Sequence, residues 1–574
     1  MNVHVLACDY DGTIAEGGRV ADATRAALAR VRESGRKVLL VTGRMLPDLR
    51  TVCPDLDDMF DAVVAENGAL LYLPGRREVK ALGAAPEAAL VEALRRHGVP
   101  FETGSSIVAT QAVHAEAALA AIREAGVERS LVFNKGDVML LPGGVTKATG
   151  LTAALEAMEL SPHNMAGVGD AENDHAFLGI CECAVAVADA VPALRERADY
   201  VTRGRSGRGV VEFVEEHLLH DLADLLPRLE RHRIPLGEDE AARPVAVPAH
   251  GTRLLVIGPS ASGKSTLTGV LVERLVETGR SVLLLDPEGD YQTLGELETV
   301  VVLGGRGEQA LPAPDEVDQL LRQPRTSLVL DLSAMTLTEK VSYATKVLGA
   351  VAAVRSTSGL PHWLVIDEAH HILPAEGSPA ADLLGPEREA LCLITLAADV
   401  LTPQVRALPN AVASTDLAAF QAGLRSVVTE HRASPPPLAT GGPLQRGEAA
   451  LAWLAPGQGA VRFRVGRRRI QHQRHVRKYV EGELPAERSF FFRGPDQALN
   501  LRAANLARFV ELAGGVDERT WAHHLARGEY TRWLRDMIKD PDLAADVEAL
   551  QSAGLPPAES RRRALGLIRE RYAV

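Results

Sequence analysis

A chain of 574 residues is too long for one hydrophobic core, so two to four domains are expected. Its composition is globular, with 46% hydrophobic and 24% charged residues, and a net charge of −12 excludes global attraction to nucleic acid or an anionic membrane. The five cysteines, Cys8, Cys53, Cys181, Cys183 and Cys392, are too few and too scattered for a disulfide framework. The Cys181–Cys183 pair reads as two small buried side chains. No signal peptide and no apolar run of about 18 residues is evident, so a cytoplasmic protein with no membrane partner is expected.

In chain order, 3–8, 37–41, 62–65 and 165–168 read as buried strands, and 23–34, 87–97 and 115–125 as amphipathic helices. That alternation predicts a parallel α/β sheet. Asp9-Tyr10-Asp11-Gly12-Thr13 directly follows the first strand. Side chains at i and i+2 of an extended chain share a direction, so both carboxylates can face one ligand at the strand's carboxyl end. Thr42 ends the next strand in Val41-Thr42-Gly43-Arg44, Lys147 follows in Gly144-Val145-Thr146-Lys147, and Gly167-Val168-Gly169-Asp170-Ala171-Glu172-Asn173-Asp174 closes a third strand.

These four ordered motifs, with Glu66-Asn67-Gly68-Ala69, resemble the haloacid dehalogenase-like superfamily over residues 1–215, in its type IIB or Cof-like branch. The cap, 73–144, is short and similar to those of phosphoglycolate and sucrose-phosphate phosphatases. The resemblance implies a magnesium-dependent phosphomonoester hydrolase acting on a small phosphorylated metabolite. Asp9 is then the nucleophile and Asp11 the general acid and base. Thr42 and Lys147 hold the phosphoryl oxygens. The magnesium site comprises Asp9, the Asp11 carbonyl and Asp170, supported by Asn173 and Asp174. Phosphomutase chemistry would use the same motifs, but a small cap with no obvious second phosphate site favours hydrolysis. Arg203, Arg205 and Arg208 read as a solvated loop, with substrate contact as the alternative.

Residues 211–230 read as a helix bent near Pro227, and 234–250 as a linker, because that stretch carries three prolines and a short acidic run. The helix and linker together span 216–250. A second α/β segment, 251–485, holds Gly258-Pro259-Ser260-Ala261-Ser262-Gly263-Lys264-Ser265 between a strand and a helix opening at Thr266. This G-x-x-x-x-G-K-S pattern in that context is a phosphate-binding loop. Backbone N–H groups around Gly258, Ser260, Ser262 and Gly263 would wrap the β-phosphate of ATP, Lys264 would neutralise the β- and γ-phosphates, and Ser265 would bind magnesium. In Trp363-Leu364-Val365-Ile366-Asp367-Glu368, Asp367 would hold magnesium through water and Glu368 would polarise the attacking water. His370 and His371 either cover the strand end or take a catalytic role.

Together with Asp286-Pro287-Glu288-Gly289-Asp290-Tyr291, these motifs resemble the HerA/FtsK-type ATPases over 246–480. That group forms rings that translocate DNA or protein, so a homo-oligomer is implied. It usually ends its next strand with a Thr-Gln pair that senses the γ-phosphate, but here Thr395 is followed by Leu396. The basic stretch 461–479 reads as a solvated or ion-paired edge, an inter-subunit arginine finger or a nucleic-acid contact. After residue 485 no strand pattern is obvious, and 499–512, 519–526, 530–538 and 543–550 read as helices. Trp521, Tyr530 and Trp533 are expected in their core.

The expected architecture is therefore α/β. Two parallel-sheet domains, a Rossmann-like phosphatase with a small α+β cap and a P-loop ATPase, precede an all-helical domain over 486–574. The leading function is a phosphatase fused to an ATP-hydrolysing module. The alternative is a ring-forming, DNA-associated ATPase with an end-processing phosphatase.

Overall fold

The computed structural model describes residues 3–572, apart from 135, 306–308, 386–389, 432–441, 455–458, 469–483, 485, 496–498 and 539. The chain divides into two compact units, Met1–Arg467 and Arg468–Val574.

The first unit begins with an 8-stranded sheet. Its strands are β1 (Val5–Cys8), β2 (Lys37–Val41), β3 (Ala62–Ala65), β4 (Leu70–Leu73), β5 (Glu78–Ala81), β10 (Met165–Gly169), β11 (Cys183–Ala186) and β12 (Tyr200–Val201). They lie in the order β12-β11-β10-β1-β2-β3-β4-β5. The six strands from β12 to β3 run parallel, and β4 and β5 return antiparallel. Every side chain of β1 is buried, as expected where helices cover both faces of a parallel sheet. The cap is a separate antiparallel sheet of β6 (Glu102–Thr103), β7 (Val108–Gln111), β8 (Arg129–Asn134) and β9 (Asp137–Pro142), in the order β8-β9-β7-β6. The helices Ala88–Arg96 and Ala115–Ala125 pack with it around Leu90, Leu94, Ile122 and Leu140.

The expected helix over 211–230 is shorter: Ser206–Glu216 is helical, and two 3-10 turns, Leu218–His220 and Leu226–Arg228, follow. The linker reading of 234–250 is corrected. Ile234–Glu238 (β13) and Pro244–Val247 (β14) form an antiparallel pair that borders the second sheet. Their prolines misled because proline is tolerated on edge strands and at bulges. Pro244 begins the edge strand β14, and the register slips between Pro235 and Gly237.

That second sheet has 11 strands, adding β15 (Arg253–Ile257), β16 (Val282–Asp286), β17 (Val300–Gly304), β18 (Ser327–Asp331), β19 (Trp363–Ile366), β20 (Leu391–Thr395), β21 (Ala411–Ser414), β22 (Glu448–Trp453) and β23 (Val461–Val465). The order is β14-β13-β23-β22-β21-β15-β20-β19-β16-β18-β17. From β21 to β17 the strands are parallel, and β22, β23, β13 and β14 extend the sheet antiparallel.

The two sheets of this unit meet through a buried polar joint. Arg280 Nη2 donates to both oxygens of Glu182 at 2.8 Å, His163 Nδ1 lies 2.8 Å from Glu182 Oε2, and His250 Nε2 lies 3.1 Å from Oε1. Nearby, the Ser281 N–H donates to His362 Nδ1 at 2.9 Å, and His362 Nε2 meets Ser161 Oγ at 3.0 Å. Glu182, Ser281 and His362 each immediately precede a strand, and Ser161 lies just upstream of β10. The sheets therefore abut at their strand starts, and their carboxyl ends point away from each other.

In the second unit the C-terminal region is helical, with helices Leu506–Gly515, Glu518–Ala526, Glu529–Asp536, Pro541–Ser552 and Pro557–Tyr572. It opens with a short antiparallel pair, β24 (Phe490–Phe492) and β25 (Leu501–Ala503), where 499–512 had read as one helix. The expected aromatic core is present. Trp521 stacks on Tyr530 with centroids 4.3 Å apart, and Trp533 stacks on Phe509 at 4.9 Å. No helix among the described residues is long and apolar enough to cross a membrane.

Candidate functional site

Asp9 follows β1 and Asp170 follows β10, two adjacent parallel strands, so both carboxylates stand at the carboxyl end of the sheet. Asp174 joins them from the next turn. Carboxylate oxygens of Asp9, Asp170 and Asp174 lie within 4.8 Å of one another. Lys147 Nζ donates to Asp9 Oδ1 at 2.6 Å and to Asp174 Oδ1 at 2.7 Å. The second Asp174 oxygen accepts the N–H groups of Asp170 and Ala171 at 2.8 and 2.9 Å, so the turn that carries Asp170 is fixed by Asp174.

The position of Lys147 is set locally. Thr146 caps the helix Lys147–Ala157, and its hydroxyl accepts the Thr149 N–H at 3.2 Å. Gly68 has φ +103, and a Cβ there would lie 1.9 Å from the Thr146 carbonyl oxygen. The helix start can therefore lie against this loop only because residue 68 has no side chain.

Burial pushes the Asp9 carboxyl up to about 8. Lys147 opposes the rise, and Asp174 and Asp170 add to it. Burial alone would lower Lys147, but Asp174 and Asp9 more than offset this and hold its ammonium above the usual range. Three carboxylates share one ammonium, an excess of negative charge that suits a hard divalent cation with oxygen ligands. Asn173 Oδ1 is buried and without a hydrogen-bond partner among the described residues. The donor set therefore fits a magnesium ion.

Asp11 is placed differently. Arg44 Nε donates to its Oδ2 at 2.6 Å and Nη2 to its Oδ1 at 2.8 Å, so both oxygens face Arg44. Thr42 is buried, and its hydroxyl accepts the Arg44 N–H at 3.2 Å. Several site residues had no assigned role in the sequence reading. Thr13 Oγ1 donates to Asp170 Oδ1 at 3.0 Å. Asn67 Oδ1 accepts from Asn173 Nδ2 at 3.1 Å, while Asn67 Nδ2 lies 2.8 Å from Met139 Sδ of the cap. Glu66 accepts the cap's Ser105 and Ser106 N–H groups at 2.9 and 3.0 Å. The Glu-Asn-Gly-Ala string thus fastens the cap to the core, a role that its mere presence in a motif does not disclose. Arg203 is exposed and ion-paired with Glu212 and Glu216, in keeping with the solvated-loop reading.

A second cluster lies at the carboxyl ends of β15, β19 and β20. Gly258–Gly263 loops from β15 into the helix Lys264–Glu277, with Gly263 at φ +105. Lys264 Nζ turns back to donate to the carbonyls of Gly258 at 2.8 Å and Pro259 at 3.1 Å. Ser262 Oγ accepts from Thr415 Oγ1 at 3.0 Å, which ties the loop to the end of β21. Ser260 and Thr266 are exposed, whereas Ser265 is buried. Asp367 and Glu368 follow β19, both buried, and Glu368 has the left-handed φ of +38. A non-glycine residue in that region is strained, a feature that recurs at functional sites. Asp286, in the Asp-Pro-Glu-Gly-Asp-Tyr string, is pushed up to about 7 by burial and by Asp290. Its oxygens accept the N–H groups of Gly289 and Tyr291 at 2.8 and 2.9 Å, which folds that string into a tight turn. Burial, with His371 and Lys264 nearby, holds His370 below its usual value.

In the basic stretch, Arg462 pairs with Glu448 on the neighbouring strand, which supports an ion-paired edge there. Arg469, Arg474, Arg477 and Lys478 lie outside the described residues, as does most of the Pro- and Gly-rich stretch 432–446.

Comparison with known proteins agrees with this division. The pattern of haloacid dehalogenase-like hydrolases matches residues 6–102 and 106–214, and that of the helicase HerA central domain matches 247–350. A phosphoglycolate phosphatase of Methanothermobacter thermautotrophicus is 33% identical over 226 residues, which are 38% of this chain and 99% of the relative. Phosphoglycolate phosphatase 2 of Saccharolobus solfataricus is 29% identical over 222 residues, 38% of this chain and 93% of its own. The phosphoglycolate phosphatase of Haloarcula marismortui is 31% identical over 219 residues, 36% and 95% respectively. Relatives matched nearly end to end, and motif residues gathered at the carboxyl end of one sheet, show that over residues 6–214 this chain belongs to the haloacid dehalogenase-like hydrolase family.

Proposed function

We propose that the first 214 residues are a magnesium-dependent phosphomonoester hydrolase for a small phosphorylated acid or sugar, and that the P-loop segment binds and hydrolyses ATP. The observation that carries the first half is the Lys147 bridge between Asp9 and Asp174, beside Asp170. One Asp9 oxygen attacks phosphorus, the bond to the leaving oxygen breaks, and Asp11 supplies that oxygen with its proton. Water then attacks the aspartyl-phosphate, Asp11 takes its proton, and phosphate leaves with Asp9 restored. Lys147 and Thr42 hold the phosphoryl oxygens as their charge grows. Asp11 can act only once its pair with Arg44 opens, because both of its oxygens are engaged there. Asp9, the Asp11 carbonyl and Asp170, with Asn173 and Asp174 in support, would hold the magnesium ion, which supplies positive charge against the phosphoryl oxygens when bound.

The named relatives favour a phosphoglycolate-like substrate, and the small four-stranded cap suits a small one. The test is hydrolysis of phosphoglycolate, sugar phosphates and p-nitrophenyl phosphate by wild type and Asp9→Asn. Retained activity in the variant would remove Asp9 from the mechanism.

For the second segment, Gly258, Ser260, Ser262 and Gly263 cradle phosphate, Lys264 and Ser265 serve the terminal phosphates and magnesium, and Thr266 continues the helix start. Asp367 and Glu368 supply metal and water contacts. The match to the HerA central domain also favours the alternative, a ring-forming homo-oligomer that acts on DNA. DNA-stimulated ATPase activity in a hexameric fraction would select it, and indifference to DNA would select a metabolite enzyme with its own ATP module.

A further inference from the structure

β20 ends at Thr395, and the apolar Leu396 that follows it is 37% exposed. The structure puts a polar side chain beside that position. β20 lies between β15, which carries the phosphate loop, and β19, which carries Asp367 and Glu368. At its end Thr395 serves both sides. Its carbonyl accepts the N–H of Gly258, the first loop glycine, at 3.3 Å, and its hydroxyl meets His370 Nδ1 at 3.3 Å. The same Nδ1 lies 3.5 Å from Glu368 Oε2. The His371 ring lies against the His370 ring with centroids 4.5 Å apart.

We propose that His370 is the positioning residue of this ATP site, orienting Glu368 against the attacking water. Gly258, Thr395, His370 and Glu368 form a continuous path from the phosphate loop to the water-activating carboxylate. With its Nδ1–H turned to Glu368, His370 fixes which carboxylate oxygen faces the nucleotide. The 3.5 Å separation is long for a hydrogen bond, and catalytic contacts of this kind often tighten only when substrate is bound. The inference rests on the reading of Gly258–Ser265 as an ATP site.

The experiment compares wild type, His370→Ala, His370→Gln, the double variant His370→Ala/Leu396→Gln, and Lys264→Ala. Each is measured for ATP affinity with a fluorescent ATP analogue, for kcat of ATP hydrolysis, and for hydrolysis of p-nitrophenyl phosphate as a check on folding. His370→Ala should lower kcat about 10²-fold, the scale of losing one preorganised polar contact, with ATP affinity and phosphatase rate unchanged. His370→Gln, which keeps an N–H donor, should recover most of the loss. Placing a glutamine at 396, next to Thr395, in the alanine background should also recover part of it. Hydrolysis within about 2-fold of wild type in His370→Ala would overturn the inference, because a positioning role must appear in kcat. So would parallel losses of ATP affinity and kcat with no rescue, which would make His370 a structural residue. Failure of the underlying reading looks different: wild type would bind no ATP, and Lys264→Ala would change nothing.

Discussion

The two sites of the first unit each hold their lysine, but in opposite ways. Lys147 lies between the buried carboxylates of Asp9 and Asp174. Lys264 is folded back onto the Gly258 and Pro259 carbonyls of its own loop, contacts that a nucleotide phosphate would replace. The phosphatase lysine is thus held by buried charges, whereas the loop lysine is held by backbone carbonyls. A site built on buried charge should tolerate little change in its ionisable groups. The two also face away from each other, because their sheets meet at strand starts around Glu182 and Arg280.

The sharpest way to break the comparison is Asp9→Asn. It should reduce phosphomonoester hydrolysis by at least about 10³-fold and leave ATP hydrolysis intact. Equal losses in both activities would mean that the sites are one machine.

Next in size is Glu182→Ala, which leaves Arg280 buried without its carboxylate. Breaking a buried pair in this way costs about 3–5 kcal/mol. Burial would by itself raise the Glu182 carboxyl, but His250, Arg280 and His163 hold it well below the usual range, so it stays charged. Thermal unfolding should show a large fall in Tm. A Tm equal to that of wild type would show that the joint contributes nothing.

Acid should loosen the same joint more gently. His362 is pushed well below 6.5 by burial, with His163 and Arg280 adding to the shift. Its Nδ1 accepts the Ser281 N–H, so the folded protein needs it neutral. Because the folded value lies below the unfolded one, the unfolded chain takes up the proton first. The stabilisation is present above about pH 6.5 and is lost as pH falls toward the depressed folded value. A Tm series from pH 7.5 to 5.5 should therefore decline, on the order of 2–4 °C per kcal/mol lost. The decline should vanish in His362→Gln if His362 is its cause.

The smallest effect concerns the helix that presents Lys147. Thr146→Ala removes its N-cap at a cost of about 1 kcal/mol. Phosphatase kcat should fall modestly while ATP hydrolysis is unchanged. An equal fall in both would argue against a local role.

Much of both sites was readable because their chemistry is written in contiguous strings. Asp9 to Thr13, Asp170 to Asp174 and Gly258 to Ser265 each combine a strand end with the turn that follows it, and strand ends show in apolar runs. What the strings did not disclose was contact. The Asp11–Arg44 pair joins two motifs read separately, and the Glu66 grip on Ser105 and Ser106 depends on how the cap closes. The reading of Ile234–His250 failed for a related reason. Proline signals a linker by its local chemistry, yet β13 pairs with β23, the distant strand Val461–Val465. Cys181 and Cys183 were read as small buried side chains and are free and buried. The residue between them, Glu182, anchors the joint and drew no notice, because its partner Arg280 lies 98 positions away.

The sequence alone picks out the candidate residues of both sites. The proposed nucleophile, lysine, metal carboxylates and phosphate loop each depend on a short backbone conformation that neighbouring residues dictate. Which of those residues face one another, that the two sheets meet through Glu182, and that His370 stands beside Thr395 and Glu368 follow only from the folded chain. The physical reason is range. Turn and strand preferences act over a few residues, whereas a buried ion pair or a shared hydrogen bond forms only after strands distant in sequence have packed side by side.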